Sequence, residues 1–203
     1  MTPATRARVV VLAGPSGAGK SRLAARLQGA HGWPIVRLDD FYRDEDDPAM
    51  PRSEELGIVD WDHPDSWNRS AAVDAIQALV ATGEVETPVY DIAHSRAVDT
   101  TTVRASPDDL ILAEGIFAAE IIPDLRERGL LAGAYCVHHH RGVTFVWRLL
   151  RDLSEHRKPP WTLVRRGLAL MRDEPRVVAR QESLGAVSAR AKDLEPLLSA
   201  LAR

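Results

Sequence analysis

The chain has 203 residues, of which 45% are hydrophobic and 27% charged, and a formal net charge of −3. This balance suits one folded domain with its own core and excludes collagen-like, disordered and disulfide-stapled chains. The slight acidity also excludes a protein that grips nucleic acid through its whole surface, leaving room only for a local basic patch.

The single cysteine, Cys136, cannot make an internal disulfide, and the opening MTPATRARVVVLAG breaks at glycine and proline before reaching signal-peptide or membrane-spanning length. Both features predict a cytoplasmic protein without a membrane partner. Asn68-Arg69-Ser70 matches a glycosylation acceptor, which has no meaning without secretion.

In chain order, Val9 to Ala13 is an apolar, β-branched run that predicts a strand buried on both faces. Glycines follow at once. From Lys20 the segment SRLAARLQGAHG sets Leu23, Ala24 and Leu27 at helical spacing, then stops at Gly29 and Gly32. Trp33 to Leu38 predicts a second strand ending in Asp39 and Asp40, and Leu110 to Ala113 a third ending in Glu114 and Gly115. Helical patterns at Val73, Ile76 and Val80, and at Ile121, Ile122 and Leu125, precede another strand at Gly133 to Val137. Strands alternating with helices predict an α/β fold with a parallel sheet flanked by helices.

The acids, prolines and aromatics between Asp39 and Trp67 are too many for a mere connection and predict a functional lid or disorder. Val85 to Tyr90 and Ala97 to Val103 alternate and predict a projecting hairpin, with DIAHSR as its turn. After Val143 the pattern is helical and basic, with Val146, Leu149, Leu150 and Leu153 on one side and Arg148 and Arg151 on another, until Pro159 and Pro160 break it. A further helix is predicted from about Trp161 to Arg172. The remaining tail is polar and alanine-rich, and no repeat of 20 to 50 residues occurs.

The strongest chemical signal is the run Gly14, Pro15, Ser16, Gly17, Ala18, Gly19, Lys20, Ser21, which satisfies G-x-x-x-x-G-K-[ST] between a predicted strand and a predicted helix, and which with Arg22 makes the expected ATP-binding residues. Glycines let successive backbone N–H groups turn inward against phosphate oxygens, and the new helix adds its positive end. Lys20 is expected to meet the β- and γ-phosphates, and Ser21 to offer its hydroxyl to Mg²⁺. The pattern therefore predicts a nucleoside triphosphate site of the P-loop NTPase class. It does not separate a kinase from a hydrolysing switch. Asn68 is the only asparagine, so N-K-x-D is absent, and no H-R-D with D-F-G occurs, which weakens the GTPase-switch and protein-kinase readings.

GPSGAGKS, LDDFYR at 38–43, WDHPDSW at 61–67, PVYDIAHSR at 88–96, LAEGIF at 112–117 and RLLRDLSE at 148–155 resemble, in that order, the uridine kinase and phosphoribulokinase family, most closely the uridine-cytidine kinases. The likeness runs to about Lys158. It implies one P-loop kinase domain over 1–203, with an acceptor-binding loop, helix and hairpin at about 39–105, a basic helical lid at about 143–160 and a divergent tail at about 174–203.

The resemblance assigns Asp39 the proton of the attacking hydroxyl, and Ser21, Glu114 and Asp39 the neighbourhood of Mg²⁺. It assigns Asp62 the ribose diol, Trp61 the pocket wall, and Tyr90, His94, Arg96 and Arg148 the acceptor. Arg148, Arg151, Arg157 and Lys158 become lid cations over the γ-phosphate. Three departures stand out: tryptophan at 61 where phenylalanine is common, a YDIAHSR segment one residue short with Ile92 for the aromatic, and HRK where the lid usually has R-G-R.

The reaction implied is transfer of the ATP γ-phosphate to a small alcohol, first the 5′-hydroxyl of uridine or cytidine. Pantothenate, a ribosylated pyridine, a sugar phosphate or a specialised metabolite are alternative acceptors, and a nucleotide-dependent switch without an acceptor is the alternative of another class. A homo-oligomer is compatible with the sequence. The run His138-His139-His140 makes a poor metal site, since three neighbours at a strand end cannot all face one ion. The acids Asp44 to Asp47 read as a solvated loop.

Overall fold

A computed structural model of the chain describes residues 7–52, 57–138, 172 and 174–201. The predicted lid at 143–160, with Arg148, Arg151, Arg157 and Lys158, lies outside the described residues, as do His139 and His140 and most of the helix expected at 161–172.

β1 (Arg8–Ala13) is the centre of a five-stranded sheet. Its neighbours are β5 (Leu110–Glu114) and β6 (Leu131–Val137), both parallel to it. Outside them lie β2 (Ile35–Arg37) against β5 and β7 (Val187–Ala189) against β6, again parallel, giving the order β2-β5-β1-β6-β7. Parallel neighbours require crossover connections, and these lay helices on both faces. Strand alternation divides the core accordingly. Val9, Val11 and Ala13 pack with α2 (Arg69–Thr82) and α3 (Ile122–Glu127), while Val10 and Leu12 pack with α1 (Lys20–His31) and α4 (Ala191–Ala200). Among the described residues no helix is long and apolar enough to cross a membrane.

Among the described residues the predicted elements are present, with informative differences. The second strand is three residues rather than six, because the chain tightens into a 3₁₀ turn at Leu38–Phe41 and carries Asp39 and Asp40 off the strand end. Gly29 lies inside α1, and the helix ends at Gly32, whose N–H donates to the Gln28 carbonyl at 2.8 Å. Asn68 caps α2, its side-chain oxygen accepting from Ala71 N at 3.1 Å, so the apparent glycosylation tripeptide is a helix start. The hairpin is β3 (Glu84–Asp91) with β4 (Arg96–Arg104), a separate antiparallel pair.

The acid-rich segment after Asp39 is held to that hairpin by specific bonds. Asp40 Oδ1 accepts from Tyr90 N at 3.3 Å, Asp44 Oδ1 from Ala97 N at 2.9 Å, and Ser95 O from Glu45 N at 3.0 Å. Asp47 closes its own turn, bonding Arg43 at 3.0 Å and Ala49 N at 2.8 Å, which keeps its carboxyl below the usual range. The polar, alanine-rich tail, for which the sequence pattern offers no element, is helical over 174–183 and then supplies both β7 and α4.

Candidate active site

The site gathers at the carboxyl ends of β1, β5 and β2, where an open parallel sheet presents the loops that leave its strands. Gly14 leaves β1 with φ +140°, and a Cβ there would collide with the backbone carbonyl of Val137 on β6. Only glycine lets the loop turn this close to the neighbouring strand. Gly17 and Gly19 take φ of 80° and 88°, Ala18 N donates to the Pro15 carbonyl at 3.2 Å, and α1 opens directly behind. Ser16 is half-buried on the loop, and Arg22 is exposed on the first turn of α1.

Lys20 is buried, its Nζ donating to the Gly14 carbonyl at 2.8 Å and the Pro15 carbonyl at 3.1 Å. Ser21 Oγ lies 3.1 Å from each carboxylate oxygen of Glu114, so the start of α1 and the end of β5 meet. A hydroxyl beside a carboxylate is a hard-oxygen donor set, which suits Mg²⁺; that ion takes few protein ligands and completes its shell with phosphate oxygens and water. Among the described residues no group of three or more His, Cys, Asp and Glu side chains forms a metal cage. The Ser21 hydroxyl and the nearby carboxylates are the residues here that could hold Mg²⁺. His138, the described member of the histidine run, points Nδ1 towards the Cys136 carbonyl at 3.4 Å.

Asp39 sits across from this pair because Arg37 is in register with Glu114, so the residues that follow each strand come together. Its Oδ1 accepts from Ile116 N at 2.8 Å. Oδ2 has no hydrogen-bond partner among the described residues. Burial holds the Asp39 carboxyl above its ordinary value, against the opposing pull of the Lys20 charge and the Ile116 N–H. Burial also raises Glu114, with Lys20 pulling the other way, the Asp39 charge pushing further up, and Ser21 and Arg37 pulling down.

A raised carboxyl binds more protons folded than unfolded, so stability falls as pH rises from its unfolded value through its folded one. Glu114→Gln removes that cost. The nucleotide-free variant is expected to melt about 2–4 °C higher near pH 8, what about 1 kcal/mol gives a chain of this size, and to gain nothing near pH 4. Calorimetry at the two pH values checks this, and equal melting at both would show that the Glu114 charge is fully balanced.

Beside the carboxylates stands an aromatic wall. Tyr42 is its centre, with ring centroids 5.9 Å from Trp61, 5.8 Å from Tyr90 and 6.0 Å from Phe117. Trp61 and Tyr90 are 6.4 Å apart. A bridge between Tyr42 and Trp67 and the Tyr42 hydroxyl bond to the Trp61 carbonyl at 3.4 Å pull the loop into place. Burial, with Asp44 and Glu45 nearby, pushes the Tyr90 phenol up to about 12, so it stays protonated and donates to the Arg43 carbonyl at 3.1 Å.

The remaining predicted acceptor residues are more peripheral. Asp62 is exposed, with its N–H bonded to Asp60 Oδ1 at 3.1 Å. His94 is exposed in the hairpin turn and pairs with Asp91 at 2.6 Å, a bond that holds the Asp91 carboxyl low. His94 and Arg96 line an open recess of about 260 Å³ with Glu45, Asp46, Arg52 and Ser95; none of Lys20, Asp39, Trp61 or Tyr90 borders it. The structure thus brings Lys20, Ser21, Glu114 and Asp39 together, sets Trp61 and Tyr90 alongside, and leaves His94 and Arg96 on a separate rim.

Sequence reading missed Tyr42, Phe117 and Gly115 at this site. Tyr42 follows the recognised acids directly, and Gly115 and Phe117 stand in the LAEGIF segment, so the signal for all three was adjacency to a motif residue.

Known proteins share this chain's sequence pattern and fold. Uridine kinases of Clostridium botulinum (strain Kyoto / Type A2) and Deinococcus deserti are 29% and 31% identical to the chain, covering 81% and 85% of it and 78% and 81% of their own lengths. The fold resembles the crystal structure of a candidate fructose transport system kinase from Silicibacter sp. TM1040, with a TM-score of 0.63 at 19% identity and 88% coverage of both chains. Residues 9–161 match the model of the phosphoribulokinase / uridine kinase family. A P-loop kinase chain of this extent, matched from its first strand onward, belongs to the phosphoribulokinase / uridine kinase family.

Proposed function

We propose that the protein is a Mg²⁺-dependent kinase that transfers the γ-phosphate of ATP to the 5′-hydroxyl of a ribonucleoside, uridine or cytidine first. The observation that carries this reading is Asp39, fixed through one oxygen by the Ile116 N–H and set opposite the Ser21–Glu114 pair. In this reading the loop from Gly14 to Ser21 binds the triphosphate and Lys20 places a positive charge against it. Ser21 and Glu114 hold Mg²⁺, which when bound neutralises charge on the transferring phosphoryl group. Asp39 accepts a hydrogen bond from the acceptor hydroxyl through Oδ2 and takes its proton as the oxygen attacks in line. Tyr42, Trp61 and Tyr90, whose rings are inclined to one another by 67°, 45° and 66°, offer aromatic faces against which a heterocycle can pack.

Uridine kinases among the relatives support the choice of acceptor, and the exposed carboxylate of Asp62 beside Trp61 suits a vicinal diol, since one carboxylate accepts two hydroxyl hydrogens. The test is mass spectrometry of products from ATP and a mixed panel of nucleosides, pantothenate and sugar phosphates. Uridine or cytidine monophosphate is expected. ADP release that no acceptor stimulates would replace the kinase reading with that of a switch. The diol clamp adds a second expectation: 2′-deoxynucleosides are poorer acceptors than ribonucleosides by about tenfold or more, the scale for leaving a polar partner unpaired. Equal rates would take Asp62 out of the acceptor site.

A further inference from the structure

We infer that Gln181, in the tail, is a positioning residue for the Asp39 carboxylate and acts through Ile116. The inference rests on the kinase reading for its catalytic consequence and on geometry for its structural one.

Gln181 is only 4% exposed. A primary amide carried this deep is costly unless it is bonded. Its Nε2 donates to the Ile116 carbonyl at 3.2 Å, while its Oε1 has no partner among the described residues, so its hydrogen bond there is the one to Ile116. The N–H of the same Ile116 donates to Asp39 Oδ1 at 2.8 Å. One residue therefore links the tail at one end to the carboxylate at the other.

A tether matters at Ile116 because the backbone bonds on either side of it are long, and a short one returns only at Glu120 N, which donates to the Phe117 carbonyl at 2.9 Å. Gly115 N reaches the Leu12 carbonyl at 3.4 Å and Ala118 N reaches the Gly115 carbonyl at 3.5 Å, the weak end of the range for an N–H donor. Side chains from the helical segment 174–183 supply what the backbone does not. Besides Gln181, Arg180 grips Glu120 Oε1 with Nε at 3.1 Å and Nη2 at 2.8 Å, in the 3₁₀ turn Ala118–Ile121 that follows the loop. Adjacent residues of one helix thus hold the loop at 116 and the 3₁₀ turn behind it at 120. With the Gln181 donor gone, the Ile116 backbone gains freedom to turn and the Asp39 carboxylate loses its fixed aim. An ångström of misplacement is enough to cost up to about a hundredfold in rate.

Gln181→Met keeps the length of the side chain and removes the amide. Amide hydrogen exchange by NMR is expected to be at least about tenfold faster at Ile116 in the variant, with the amides of β1 and β5 unchanged. With an acceptor that the wild type phosphorylates, kcat is expected to fall about tenfold while KM for ATP stays within about twofold. Gln181→Asn, which retains an amide on a shorter stem, is read in the same way and guards against a variant that does not fold. Unchanged exchange at Ile116 would overturn the inference, and so would exchange, melting temperature and ATP affinity all deteriorating together, the mark of a merely structural residue. If the wild type phosphorylates no alcohol, the kinase reading falls by itself, and the exchange measurement still decides whether Gln181 fixes the donor to Asp39.

Discussion

Asp39→Asn is expected to leave ATP binding nearly intact and to lower phosphoryl transfer at least about a hundredfold, the usual scale for losing an acid–base group. Asparagine keeps the side-chain oxygen that accepts from Ile116 N, so the 38–41 turn and the loop after β5 retain their bond. Where Oδ2 stood, however, the amide presents donors to an incoming hydroxyl and accepts nothing. The phosphate loop keeps its hydrogen bonds, which run through Gly14, Pro15 and Lys20, and loses only the attraction between Lys20 and the Asp39 charge. Calorimetric ATP titration alongside steady-state product formation separates the two effects, and wild-type turnover in the variant would remove Asp39 from the mechanism. The pH profile carries the same assignment. Because burial raises the Asp39 carboxyl, the transfer rate is expected to fall, as pH drops, at a pH above the ordinary carboxylate range, and that limb is expected to be absent from the residual activity of the variant.

What the sequence made legible is what local chemistry decides. A β-branched run followed by glycines and a lysine is a strand, a phosphate loop and a helix in any context, and the structure has them at Arg8–Ala13 and Lys20–His31. The acids at the strand ends were legible for the same reason, since polarity after a buried apolar run marks where a strand meets solvent. Features that depend on partners distant in the chain were not. β7 is three residues with Val187 62% exposed; its strand geometry comes from pairing with β6 at the sheet edge, and no pattern inside Val187–Ala189 announces it. Tyr42 becomes the hub of the aromatic wall only because its bridge to Trp67 folds the intervening loop back. His94 carried a family motif, yet its pairing with Asp91 is set by the short turn, a matter of spacing that residue identity does not convey. Asn68 displays both aspects: the tripeptide is legible as a modification signal, and tertiary context makes it a helix cap.

Gly115→Ala is expected to have an effect close to that of losing Asp39, although residue 115 bears no functional group. The register of Arg37 with Glu114 brings the two strand ends side by side, so that the backbone at 115 and the Asp39 side chain must pass each other. A Cβ on residue 115 would lie 2.7 Å from Asp39 Oδ1, 3.0 Å from Leu38 Cβ and 3.3 Å from Asp39 N. The first of these is closer than real Cβ atoms come, and the second and third are backbone or Cβ atoms with little freedom to yield. The carboxylate therefore has to swing away from the Ile116 N–H, and the loop has to shift with it. Overpacking of this kind costs about 1–3 kcal/mol of stability, and the displaced carboxylate is expected to cost a further tenfold to about hundredfold in kcat. ATP affinity is expected to stay within about threefold, since Gly14 to Ser21 lie on another strand end. The decisive measurement is the double variant. If Gly115→Ala acts by moving Asp39, then adding it to Asp39→Asn lowers transfer little further, because both changes remove the same carboxylate from the same place. Full multiplication of the two losses would mean that Gly115 serves the reaction by some route other than the closeness of its backbone to residue 39.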